Sequence, residues 1–153
     1  MGPDGEYAAW TTYGAVIDKF GPVEPYVSIQ QAEARHIEAL KRQLTRLGVA
    51  IPTNPYLGKV TAPTSLKEAA AAWAEGEIAN VALYDRLMAA AASDPNLPRV
   101  FGNLRSASLN AHLPMFRRAA EDDGTLNPAQ MAEWRHGGVG HGRGNGRRFQ
   151  KGD

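Results

Sequence analysis

The chain contains no cysteine. That one absence removes disulfides, thiolate metal sites, iron–sulfur clusters and thiol nucleophiles together. It leaves the compartment open, since a cysteine-free chain survives in either redox environment: a cytoplasmic location and export behind a leader not included in this chain are both compatible with it. Long apolar runs are also missing. None approaches the roughly 18 residues that a membrane span needs, so no membrane partner is expected. Useful strand-like alternation is absent, as is any internal repeat at the level of sequence. A strong charge of one sign is lacking too. The net charge is +1, but residues Arg135 to Asp153 carry five basic side chains against one acidic, a net of +4, which leaves the remainder at −3. What is present is ordinary for one globular domain: 153 residues, 43% hydrophobic and 22% charged, enough to bury a core but short for two domains.

Apolar spacing predicts four helices. The first spans about Gly5 to Phe20, with Glu6, Trp10, Tyr13, Ile17 and Phe20 on one face, and Gly21-Pro22 ends it. The second spans about Ser28 to Leu47, aligning Ile29, Glu33, His36, Leu40, Leu44 and Leu47, with Gly48 suited to the position just past its end. A connection from Gly48 to Thr64 follows, holding three prolines and two glycines. The third helix spans about Ser65 to Ala91, with Leu66, Trp73, Glu77, Tyr84 and Leu87 on one stripe, and Ser65 with Glu68 forms a capping box. The fourth spans about Pro98 to Glu121. These lengths give a folded domain over residues 4–124. Beyond it, Asn127-Pro128 caps one short turn carrying Met131 and Trp134, and a Gly/Arg/His-rich basic tail from Gly137 is expected to be disordered. Two short links and one long one predict an all-α, antiparallel four-helix bundle with a long crossover between helices 2 and 3, the connectivity of ferritin-like bundles.

Polar residues occupy the wrong faces of these helices. Glu6, Glu33, His36 and Glu77 lie on apolar stripes, and His112 falls on the line through Leu104, Ser108 and Met115. Glu75 competes with Glu77 for the inward place on the third helix, but it aligns with Glu68, Ala72, Ala79 and Arg86, a solvated face. An unpaired buried carboxylate costs several kcal/mol out of a total stability of about 5–15 kcal/mol, so three of them require compensation. Divalent ions supply it. Three carboxylates with two neutral imidazoles form a hard, mixed O/N ligand set suited to iron or manganese, and the Glu33-x-x-His36 spacing brings two side chains to one side of a helix. Each residue also has a plain structural explanation. Glu6 sits near a helix N-terminus, where the dipole favours acids; His112 could be a core histidine bonded to Ser108 or Tyr13; Tyr84 and Trp73 suit packing. The conjunction of inward acids and imidazoles on four helices is what favours metal.

Four stretches carry a family resemblance: Glu6-Tyr7-Ala8-Ala9 through Tyr13; Ala32-Glu33-Ala34-Arg35-His36-Ile37; Gly76-Glu77-Ile78-Ala79-Asn80-Val81-Ala82-Leu83-Tyr84-Asp85; and Asn103-Leu104-Arg105-Ser106-Ala107-Ser108 with His112-Leu113-Pro114 and Phe116. Together they resemble a bacterial domain family of unknown function within the ferritin-like superfamily, alongside rubrerythrins. The resemblance implies the bundle fold and a di-iron pattern of Glu, Glu-x-x-His, Glu and Glu-x-x-His on successive helices. Glu6, Glu33, His36, Glu77 and His112 match it, whereas Leu109 stands where the sixth ligand is expected. Asn80, one turn from Glu77, is a candidate substitute through its carbonyl oxygen. Pro114 lacks the N–H that would reach Asn110 and predicts a kink just past His112.

Three functional readings follow. The first is a dinuclear iron, or manganese, carboxylate protein that reacts with dioxygen or peroxide or oxidises ferrous iron, its partners being metal ions and small oxidants. Such chemistry needs open coordination positions. The second is a non-catalytic bundle serving as a structural or binding module, with Glu and His forming a hydrogen-bonded polar core; a homodimer is open under either reading. The third concerns the tail, where Arg143, Arg147, Arg148 and Lys151 could bind nucleic acid or an acidic surface by charge. With only Phe149 available for stacking, a solubilising tail is the stronger reading. His136 and His141 could capture stray transition metal.

Overall fold

The computed structural model describes residues 5–137, and these form a helical bundle with no strand among them. Helix α1 runs Glu6–Phe20, α2 Tyr26–Arg46, α3 Leu66–Ala90, α4 Leu97–Ala107, α5 Leu113–Glu121 and α6 Pro128–Gly137, with a π turn over Ser108–His112 joining α4 to α5. No described helix is long and apolar enough to cross a membrane. The sequence-based bounds hold to within about two residues. Helix α2 starts earliest relative to expectation, at Tyr26, because the Glu24 carboxylate accepts from both the backbone N–H and the hydroxyl of Ser28 and steadies the first turn. At the start of α3, Ser65 Oγ accepts from the Glu68 N–H at 3.2 Å. The Glu68 carboxylate accepts from the Thr64 hydroxyl, one residue outside the expected box.

Two helical hairpins make up the body: α1 against α2, and α3 against α4 and α5. Cross-contacts fix their directions. Trp10 meets Gln30 between α1 and α2, Asp85 meets Arg105 between α3 and α4, and Arg46 at the end of α2 meets Asp94 just before α4. Each of these neighbouring pairs is antiparallel. The link over residues 47–65 runs beside α1 for its whole length, through Tyr7 to Pro52, Asn54 to Thr11 and Lys19 to Pro63.

The main core gathers Tyr13, Val16, Tyr26, Ile29, Leu113 and Phe116 around small residues of α3, Ala69, Ala70 and Ala74. Tyr13 sits edge-on to Trp73 with ring centroids 4.7 Å apart, a geometry aromatic quadrupoles favour. Helix α6 joins this core. Asn127 caps it, its side-chain oxygen accepting from the N–H groups of Ala129 and Gln130; Leu126 and Met131 are buried and Trp134 packs against them. The expected domain boundary at residue 124 therefore falls inside the packing. Gly124 is at that point for a reason: its φ is +92°, and a Cβ there would lie 2.1 Å from the backbone of Leu66. The residues of the basic tail from 138 onward, with their predicted disorder and charge-binding role, lie outside the described residues.

The fourth helical stretch departs from a plain α-helix. Leu104, Ser108, His112 and Phe116 are all buried, a spacing of four repeated three times. In an uninterrupted α-helix, at about 100° per residue, that series would drift by roughly 120°. The π turn absorbs the extra residue, with the Leu113 N–H bonding back five residues to the Ser108 carbonyl, as π segments do. The irregularity expected just past His112 at Pro114 lies one turn upstream, and it turns Ser108 inward while Leu109 is left 37% exposed.

Candidate metal centre

Five side chains from four helical stretches meet between the hairpins. Helix α1 contributes Glu6, α2 contributes Glu33 and His36, α3 contributes Glu77, and the π turn contributes His112. All are buried except His36, which keeps a partly open edge. Glu75, the rejected alternative, is exposed. The five fall into two overlapping triads, Glu6–Glu33–His36 and Glu33–Glu77–His112, and within each triad one ligand-type atom per residue lies within 4.8 Å of the others. Glu33 belongs to both. Its Oε2 is 2.8 Å from His36 Nδ1 and its Oε1 is 3.0 Å from His112 Nδ1. The two imidazoles stack with centroids 5.6 Å apart.

The polar atoms of this cluster are incompletely satisfied. Glu6 Oε2, Glu33 Oε1, Glu77 Oε2 and His112 Nδ1 are buried without a hydrogen-bond partner among the described residues. His112 Nδ1 and Glu33 Oε1 approach to hydrogen-bond distance yet are not aligned to bond. Buried polar groups are almost always paired, so four orphaned donor atoms in one place call for a missing partner. A cation of ligand-seeking type fits the donor set, hard carboxylate oxygens with imidazole nitrogen.

Without an ion, protons take that role. Burial pushes the Glu6 carboxyl up to about 8, and the neighbouring Glu33 charge adds to it. Burial alone would also raise Glu33, but its contacts with Glu6, His112 and His36 outweigh this and hold it well below the usual carboxylate range. Burial works against a charged imidazole, yet the adjoining Glu33 and Glu6 carboxylates raise His36 to about 9. Glu33 and Glu77 likewise raise His112 to about 10.

Two tyrosines brace the cluster, of which sequence reasoning gave Tyr84 to packing and offered Tyr13 as a partner for His112. The Tyr13 hydroxyl on α1 donates to Glu77 Oε1 on α3 at 2.9 Å, and the Tyr84 hydroxyl on α3 donates to Glu6 Oε1 on α1. The arrangement is reciprocal: each helix carries Glu and, seven residues later, Tyr, and each tyrosine bonds the other helix's acid. That Glu-x6-Tyr pair was the signal available in the sequence, and it is the one local repeat the chain contains at its site. Burial raises both phenols well above their ordinary pKa, so they stay donors. The hydrogen bonds that would have made His112 a plain core histidine go elsewhere, with Tyr13 on Glu77 and the Ser108 hydroxyl accepting from Asn80 Nδ2 at 3.2 Å. Asn80 Oδ1 is buried without a partner among the described residues, and Asn80 lines, with Glu77, Trp73 and Thr12, a cleft of about 260 Å³ reaching the cluster from the α1–α3 side.

Comparison with family models, curated proteins and solved structures found no match to this chain. The buried Glu33, Glu77 and His112 group could hold a metal ion, and this rests on the geometry alone.

Proposed function

We propose that this chain is a ferritin-like protein whose bundle holds two metal ions, iron or manganese, bridged by Glu33, and that it reacts there with dioxygen or peroxide or oxidises ferrous iron. The observation that carries the reading is the double use of Glu33, whose two oxygens face two different histidines in two overlapping triads. The ferritin-like arrangement is supported by the antiparallel pairings and by the long link that follows α1 from end to end. One ion would lie among Glu6, Glu33 and His36, the other among Glu33, Glu77 and His112. Bound iron or manganese supplies one-electron redox change and open positions for a small oxidant.

The chain's own residues do the rest. Glu33 would offer one carboxylate oxygen to each position, Oε2 beside His36 and Oε1 beside His112. Tyr13 and Tyr84 hold Glu77 Oε1 and Glu6 Oε1 by hydrogen bonds, which keep the two carboxylates from rotating, as outer hydrogen bonds do at metal sites. The sixth ligand of the pattern is missing because no carboxylate stands in that stretch, where the π turn points Ser108 inward and leaves Leu109 outward. The cleft beside Asn80, which Glu77 also lines, is the point of entry for a small oxidant on this reading. The direct His36–Glu33 hydrogen bond is what a metal-free polar core would also contain, and metal content separates the two readings. Protein purified without chelator is expected to carry about two equivalents of iron or manganese, and Glu33→Ala to lose both because both ions use it. A wild-type content below about half an equivalent, with the wild-type melting temperature unmoved by added metal, overturns the proposal in favour of the structural module.

A further inference from the structure

Beyond the metal cluster, the most apolar unassigned feature is a cleft of about 300 Å³ at the end of the bundle where α1 begins, α2 ends and α4 begins. Leu40, Leu44, Leu83, Leu87, Leu97 and Phe101 form its walls. The five leucines are only half-buried, so side chains from three helices converge without filling the space between them. Natural cores are close-packed, and an unfilled apolar space of this size is at the small end of ligand sites, roughly 300–1,000 Å³.

We propose that this cleft binds a free, neutral, unbranched aliphatic molecule of medium chain length, with one end beside Glu6 and Tyr84. The position of the cleft sets the orientation. Glu6 and Tyr84 line it, and the same two residues form the outer edge of the Glu6–Glu33–His36 triad. A chain lying along the leucines therefore ends against the wall of the metal centre. The lining sets the chemistry. Apart from Gly5 and Gln43 the remaining surface is apolar, and among the described residues no lysine, arginine or histidine contributes to it. An anionic headgroup finds no counter-charge there, so carboxylates and phosphates are disfavoured while alcohols and hydrocarbons are not. The inference deepens the proposed function by naming a substrate class for that site, but occupation of the cleft needs only the fold.

The test is titration of the full chain, metal-free and manganese-loaded, with the series 1-hexanol to 1-decanol, followed by NMR of leucine methyl groups and by calorimetry. Each added methylene that is buried is worth about 0.8 kcal/mol, so affinity is expected to rise about fourfold per carbon until the cleft is full, and then to level off. Octanoate is expected to bind more weakly than 1-octanol. Leu44→Trp, which puts an indole into the open space, is expected to abolish the rise with chain length while the far-UV circular dichroism stays unchanged; Leu83→Trp is the second variant if the first fails to fold. Absence of alkanol binding in both metal states overturns the proposal, as does an affinity indifferent to chain length or octanoate binding as tightly as 1-octanol. Sedimentation as a dimer that closes the cleft to alkanols also overturns it, in favour of a second copy as its occupant. Alkanol binding by a protein that takes up no metal retains the cleft and removes the metal reading, so the two failures are distinct.

Discussion

Loading the metal-free protein with manganous ion at pH 7 is expected to expel about three protons per chain. Three groups supply them. His36 is raised to about 9 and His112 to about 10 by the carboxylates that adjoin them, so both imidazoles are charged at neutral pH. Glu6, pushed up to about 8 chiefly by burial, is protonated in roughly nine molecules of ten at that pH. Glu33 is held low and contributes none. All three groups must release their protons to become ligands, because a metal binds neutral imidazole and ionised carboxylate. Calorimetric titrations in two buffers of different ionisation enthalpy read the number directly, as the slope of observed enthalpy against buffer enthalpy. The same linkage predicts that lowering the pH from 7 to 6 weakens the product of the two binding constants by about a thousandfold. Release of fewer than one proton would refute the reasoning, since the cluster could not then be the ligand set.

Stability of the metal-free protein is expected to move the other way. A group whose folded pKa is raised stabilises fully below its unfolded value and loses that contribution as pH rises through the folded value; for His36 and His112 the loss runs from about 6.5 through about 9 and 10, at up to about 1.4 kcal/mol per pH unit for each group. The melting temperature should fall from pH 7 to 10 without metal, and a rise would contradict the assignment of the two imidazoles. Tyr13→Phe removes the buried hydrogen bond to Glu77 and is expected to cost about 1–3 kcal/mol in denaturant unfolding of the metal-free protein; a loss confined to the manganese-loaded form would place Tyr13 in metal binding alone. Gly124→Ala brings a Cβ within 2.1 Å of the Leu66 backbone at φ +92° and is expected to destabilise by roughly 3 kcal/mol, a drop in melting temperature of about 6–12 °C. An unchanged melting temperature would mean that the close approach of Gly124 to α3 does not exist in solution.

Much of the architecture was legible because it depends on periodicity and punctuation. Gly21-Pro22, Gly48 and Asp94-Pro95 mark breaks between amphipathic runs, and each falls between observed helices. The inward face of each helix was legible for the same reason, which is why Glu6, Glu33, Glu77 and His112 are buried as expected while Glu75 is not. What periodicity does not carry is depth and partnership. Tyr13 and Tyr84 were placed on the correct stripes, but only the approach of α1 to α3 makes each the partner of the other helix's acid. The π turn was hidden because a spacing of four is compatible with a slightly drifting α-helix, and only the burial of Leu104, Ser108, His112 and Phe116 together forces the extra residue. Helix α6 was underestimated because its apolar side holds few residues. Its place in the core comes from Leu126 and Met131, together with the Leu126 N–H bonding the Glu24 carbonyl at 2.8 Å, a tertiary contact with no local signature.

The claim at the centre of this account is that Glu33 bridges two metal positions, and anomalous diffraction tests it most directly. Crystals of the full chain grown with iron or manganese and measured at that metal's absorption edge should show two anomalous peaks flanking Glu33, one beside Glu6 and His36 and the other beside Glu77 and His112. Strong peaks elsewhere on the chain with none at the cluster, or no peak at all in protein shown to be folded, would contradict it.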